Sequence, residues 1–308
     1  MFFELCPRIL QFFFHVICLY SIVFYYLCIE FFIILYILYT MKVLFIAQEI
    51  TPYLPETEMS TICRHLPQGI QEQGKEIRTF MPRFGCINER RNQLHEVIRL
   101  SGMNMIISDT DHPLIIKVAS IQTARMQVYF IDNEEYFSRK STICSDEREY
   151  FSDNDERTVF FCRGVLETVR KLRWQPNIVH CHGWFTGLVP LYVKKAFRED
   201  PLFSKAKVVY SLYNDSFEGS LNPEFRTKVF TDGVTKKDSA VLERPNYVTL
   251  SKLAINFSDG FVLVGDQIHH KVEEHLRASQ KPFIQHNPET YIQDYGAFYE
   301  ELLGNKDM

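Results

Sequence analysis

Glycine is missing from the place where it would be sought first. The segment QEITPYLPETEMS, Gln48 to Ser60, follows an apolar run, Lys42 to Ala47, that reads as a buried strand. It precedes an apolar-periodic stretch, Ile62 to Ile70, that reads as a helix. Strand–turn–helix units that hold phosphate use glycines, so that backbone N–H groups can close on the anion. This turn has none; Pro55 removes an N–H, and Glu49, Glu56 and Glu58 add negative charge.

Other absences narrow the class. The eight cysteines form no C-x-x-C pair, and five of them lie beyond residue 40, which suits reduced thiols of a cytoplasmic protein better than a disulfide frame or a zinc site. There is no basic excess: the net charge of −4 argues against a nucleic-acid surface. No repeat, Pro/Gly-rich linker or H-E-x-x-H spacing occurs after residue 40. His269 and His270, with Glu273 and Glu274, read as a wet helical face, and no metal site is expected.

The first forty residues are an apolar head without Gly, Ala, Asn, Asp or Lys. Residues 9–39 are long enough to span a bilayer. Two readings compete: a transmembrane anchor, or an over-extended start, with Met41 opening directly on the first strand. Membrane association is expected only under the first.

From Met41 onward, strand and helix patterns alternate. Strands are expected at 42–48, 76–82, 114–120, 126–131, 177–181, 207–212 and 260–264. Helices are expected at 59–74, with Gly74 as its stop, at 154–173 behind an Asp153 N-cap, and at 185–198, 267–278 and 287–303. Residues 83–152 interrupt the rhythm with a β insertion and a charged loop; the run from Ser145 to Arg157 reads as a solvated loop leading into a helix. Asn222-Pro223 and Asn287-Pro288 read as turn starters. The alternation predicts an α/β fold with one Rossmann-like, doubly wound, mostly parallel sheet over 41–308.

Six blocks, read in order, resemble the starch and glycogen synthases, the family-five glycosyltransferases. MKVLFIAQEITPYLPETEMSTICRHLPQGI (41–70) is similar to the family's opening strand, turn and helix. FIDNEEYFSR (130–139), DNDERTVFFCRGVLE (153–167), HCHGWFTGLVPLYVK (180–194), YNDSFEG (213–219) and NFSDGFVLVG (256–265) resemble later blocks. The resemblance implies the N-terminal half of a GT-B enzyme. Its implied reaction is glucosyl transfer from ADP- or UDP-glucose to an α-1,4-glucan, with no cofactor and no metal ion.

The same alignment shows departures. The family's Lys-x-Gly-Gly turn falls on Pro55, Thr57 and Glu58, where a glutamate beside a diphosphate would cost roughly 1–4 kcal/mol per charge pair. The family's Asp after the second His falls on Gly183, and the His of its His-Asn pair on Tyr213. The resemblance makes Glu49, His182 and Tyr213 catalytic candidates. It places His180, Trp184, Asn214, Glu218 and Gly219 along the substrate cleft. The resemblance implies that, of His180 and His182 at this strand end, one faces the core and one lines the cleft. Trp184 and Phe185 suit either a sugar-stacking platform or a core anchor at a helix start. A GT-B cleft needs a second Rossmann body, so an α-glucan and a partner, or a second copy completing the cleft, are the expected associates. A non-catalytic glucan- or protein-binding regulator of polysaccharide metabolism is the alternative.

Overall fold

A computed structural model describes residues 40–304, apart from 146 and 148. The apolar head therefore lies outside the described residues. Among the described residues, no helix is long and apolar enough to cross a membrane.

Seven parallel strands form the body of one sheet: β1 (Lys42–Ala47), β2 (Glu76–Pro82), β6 (Met126–Asp132), β7 (Ile178–His182), β8 (Lys207–Leu212), β9 (Gly260–Leu263) and β10 (Phe283–Gln285). Their order is β10-β9-β8-β7-β1-β2-β6. Covering both faces of a parallel sheet demands strands that are apolar throughout. KVLFIA meets that demand, with Val43 to Ala47 all buried. Antiparallel strands extend the β6 side: β5 (Thr110–Ile121) pairs with β6, and both β3 (His95–Glu96) and β4 (Met103–Ile107) pair with β5. This is the expected β insertion, with β3 and β4 as additional short strands.

Helix α1 (Glu58–Glu72) begins at a reciprocal capping box: Thr57 accepts from the Ser60 N–H, and Ser60 accepts from the Thr57 N–H. It runs through Pro67 and stops before Gly74, which takes a φ of +82°. The short α2 (Glu134–Phe137) is capped by Asn133, and α3 (Asn154–Leu172) follows.

The start of α3 corrects two expectations. Asp153 occupies the N-cap position, but its side chain caps nothing; it pairs with Arg139 instead. The supposedly solvated charges after it are buried: Asp155 and Arg157 are both 0% exposed. Lys228 reaches Asp155 at 2.8 Å and Glu156 at 2.7 Å. Arg157 donates to the Tyr136 carbonyl (2.8 Å), the Asn154 side chain (2.6 Å) and the Thr142 carbonyl (2.7 Å), so its charge is fully clothed.

The expected helix at 185–198 breaks into a short 3₁₀ turn and α4 (Val189–Lys194). Beyond it lie α5 (Phe225–Lys228), α6 (Tyr247–Phe257), α7 (His270–Ala278) and α8 (Tyr291–Leu303). Asn222 and Asn287 do start turns, each accepting the N–H two residues on. Helix α6, unanticipated from the sequence, starts from a capping box between Asn246 and Thr249. Lys281 closes its other end, donating to the carbonyls of Ile255, Asn256 and Ser258 at 2.7–2.8 Å. Helix α8 packs between α1 and β9. Ile292 comes so close to Gly69, and Phe298 to Gly260, that a Cβ at either glycine would stand 2.5 and 2.7 Å from them.

Candidate functional site

Strand order reverses at β1: the chain builds outward through β2, then returns to lay β7 on the other side of β1. In open α/β sheets the crevice beyond the carboxyl ends at such a switch point is where ligands bind. Gln48 and Glu49 leave β1 there, His182 ends β7, and Tyr213 and Asp215 follow β8.

The two histidines are buried but differently employed. His180 uses both ring nitrogens within the chain, Nδ1 with the Tyr299 hydroxyl at 2.6 Å and Nε2 with Ser211 Oγ at 2.7 Å. It supports the site from below, and no ring nitrogen remains for a ligand; its expected place along the cleft is corrected accordingly. His182 lies 4.0 Å from it, ring centre to ring centre, and Phe45 packs against both. Nδ1 of His182 meets the Tyr213 hydroxyl at 2.8 Å, while Nε2 is buried without a partner. Burial lowers both imidazoles, His182 to about 3 and His180 well below its ordinary value with His182 contributing, so both are neutral at pH 7. Burial also raises the Tyr213 phenol well above its ordinary value, so it keeps its proton. Assigning that proton to the bond with Nδ1 leaves the ring proton on Nε2. His182 then offers one neutral, pre-positioned N–H donor. Tyr213 acts through His182: it is 3% exposed and orients the ring.

Trp184 requires a correction too. It is 1% exposed, packed on Phe217 at 4.6 Å and Phe185 at 5.4 Å, so no ring face is free for a sugar. Its backbone N–H does bear on the site, donating to Asp215 at 2.8 Å. The other Asp215 oxygen accepts from the Tyr247 hydroxyl at 3.1 Å. Burial raises Asp215 to about 6, opposed by those two hydrogen bonds. Asn214, Glu218 and Gly219 are exposed on the loop after β8, with the Asn214 amide 3.4 Å from Gln267 Oε1. Glu218 and Gly219 line a 380 Å³ cavity with Tyr247, His269 and Lys271.

The glycine-free turn folds on itself. The Thr57 hydroxyl donates to Glu49 while accepting from the Ser60 N–H, so the first turn of α1 already has an internal cap tied to a carboxylate. Burial raises the Glu49 carboxyl, opposed by the Thr57 hydroxyl. Pro55 and Glu58 are exposed. Gly183 takes a φ of +84°, and a Cβ there would stand 2.9 Å from Met59 Sδ and 3.0 Å from Gln48 Cβ. A side chain at the position of the family's Asp would collide with the turn.

Sequence reasoning did not single out Gln48, Asp215, Tyr247 or Tyr299. Gln48 Oε1 accepts from the Phe185 N–H at 3.1 Å and so ties the β1 and β7 ends together. Asp215 sat within a quoted block; Tyr299 lies 119 residues from its partner, beyond any local signal.

A doubly wound, largely parallel sheet with polar side chains gathered at its switch point fits a GT-B glycosyltransferase catalytic domain. Residues 42–279 match the starch synthase catalytic domain family, and the chain belongs to that family. It is 34% identical over 204 residues to a glycogen synthase of Chlorobium limicola, covering 66% of this chain and 41% of that one. It is 35% identical over 201 residues to a glycogen synthase of Chlorobaculum tepidum, covering 59% and 40%. The matched chain thus spans about two fifths of the length of these relatives. The catalytic domain of starch synthase IV from Arabidopsis thaliana, bound to ADP and acarbose, shares the fold at a TM-score of 0.65 and 18% identity, over 80% of this chain and 51% of that one.

Proposed function

We propose that this glycosyltransferase domain binds the sugar of an α-1,4-glucan or of a nucleotide-activated glucose at the crevice beyond β1 and β7. The observation that carries the proposal is His182 Nε2, a buried N–H without a partner at the switch point. Leaving such a group unpaired costs about 1–3 kcal/mol, which a ligand oxygen would recover. Being neutral, the imidazole suits a sugar hydroxyl. In a complete GT-B cleft, a second Rossmann body from a partner, a second copy or elsewhere in the polypeptide would carry the nucleotide, and ADP- or UDP-glucose would be the donor. No cofactor or metal enters this reading.

A second reading, a non-catalytic glucan-binding regulator, is favoured by the Glu49–Thr57–Ser60 arrangement, an internal cap at Thr57 where the family presents glycine. The experiment is glucose incorporation into glycogen from ADP- and UDP-glucose by the full chain, run beside calorimetric binding of maltoheptaose. Incorporation supports transfer and overturns the regulatory reading. Binding without incorporation supports the regulatory reading. Absence of both, or binding unaltered in His182→Ala, overturns the assignment of the crevice to sugar.

A further inference from the structure

A cavity of about 440 Å³ lies at the opposite end of the sheet, where the amino ends of β2 and β6 meet the last turn of α1. Small-ligand sites commonly occupy about 300–1,000 Å³. Two guanidiniums, Arg78 and Arg125, line it, and no carboxylate does. Arg78 is built into place: the Tyr129 and Trp174 rings flank it at 5.8 and 5.2 Å, and Nη1 donates to the Tyr129 hydroxyl at 2.7 Å. Its Nε is nevertheless buried without a partner, and so is Oε1 of Gln71 on the facing helix. Two residues that line the cavity thus each keep a buried polar atom unmet, one a cationic donor and one a neutral acceptor. An anionic oxygen answers the first and a hydroxyl the second. The carboxyl end of α1 brings about half a negative charge, less than the two guanidiniums supply.

We propose that this cavity binds a small hydroxylated oxyanion, specifically a sugar phosphate. Two guanidiniums, one on β2 and one in the turn before β6, suit the three oxygens of a phosphate monoester, and a carboxylate would satisfy only one of them bidentately. The site lies away from the His182 crevice and stands whether or not the chain transfers glucose.

Calorimetric titration of the full chain with ribose 5-phosphate tests it, with ribose, inorganic phosphate and gluconate as comparators. Saturable one-site binding is expected, about tenfold tighter than inorganic phosphate, with none to ribose. Arg125→Gln, at an exposed residue, weakens ribose 5-phosphate about tenfold without moving the thermal midpoint. Gln71→Met weakens ribose 5-phosphate but not inorganic phosphate. Absence of saturable binding overturns the proposal, as does binding indifferent to both substitutions. Gluconate binding more tightly than ribose 5-phosphate overturns the phosphate assignment, and equal affinity for inorganic phosphate overturns the role of Gln71.

Discussion

Acid should destabilise this domain through two particular rings. Unfolded, His180 and His182 take up protons near pH 6.5; folded, His182 holds out to about 3, and His180 is also held well below its ordinary value. Between those limits the folded state binds fewer protons than the unfolded one, so stability is complete above pH 6.5 and falls as pH falls. The slope is about 1.4 kcal/mol per pH unit per ring. Going from pH 6.5 to about 5 therefore removes about 2 kcal/mol through His182, a sizeable share of a typical domain's 5–15 kcal/mol, and His180 adds to the loss in the same sense. Asp215 acts in the opposite sense: raised to about 6, it binds more protons folded than unfolded between about pH 4 and 6, so its contribution grows as pH falls there. It is partly exposed, and its offset is correspondingly the smaller. The assay is urea unfolding of the full chain across this pH range, beside His182→Gln, which cannot titrate. The variant should lose about 2 kcal/mol less than the parent over the same interval. Parallel pH profiles for the two proteins would refute the argument, because they would mean that His182 is not held neutral by burial.

Other perturbations follow from single contacts. Gly183→Ala combines an unfavourable positive φ with a 2.9 Å approach to Met59, and should lower stability by about 2–4 kcal/mol, read from the urea midpoint. Thr57→Ala removes the α1 cap and should cost about 1 kcal/mol by the same measure, while letting Glu49 titrate still further above its ordinary value by carboxyl NMR, because the hydrogen bond that opposes burial is lost. Lys281→Met deprives three carbonyls at the end of α6 of their donor and should cost about 1–3 kcal/mol, with faster amide exchange confined to the last turn of that helix.

What the sequence discloses is the part of the fold governed by local periodicity. The strands at 76–82 and 207–212 were legible to the residue, because EIRTFMP follows the Gly74 helix stop and KVVYSL is a short β-branched and aromatic run. Helix α6 was not: YVTLSKLAINF opens with β-branched residues, and its signal is a short capping box without an acid. The burial of Asp155 was invisible because its partner, Lys228, is distant in sequence. The same limit applies at the site. The resemblance implied one core-facing ring and one cleft-lining ring, yet two residues apart on β7 they share a face and their rings lie 4.0 Å apart. Only the arrival of Tyr299 from α8 and Ser211 from β8 decides that His180 is fully used and His182 is not. Trp184 illustrates the converse: an aromatic beside a cleft motif is ambiguous until Phe217 closes over it.

The capped turn after β1 has a consequence for any anion approaching α1. Glu49 is tethered eight residues from the Thr57 hydroxyl it engages, and so acts as an intramolecular competitor. A short tether fixes its local concentration in the millimolar range. An incoming phosphate would have to displace a ligand that never diffuses away, and dilution of the protein would not relieve the competition. Protonation of Glu49 would, making occupancy of this helix end a matter of proton activity before it is a matter of ligand supply.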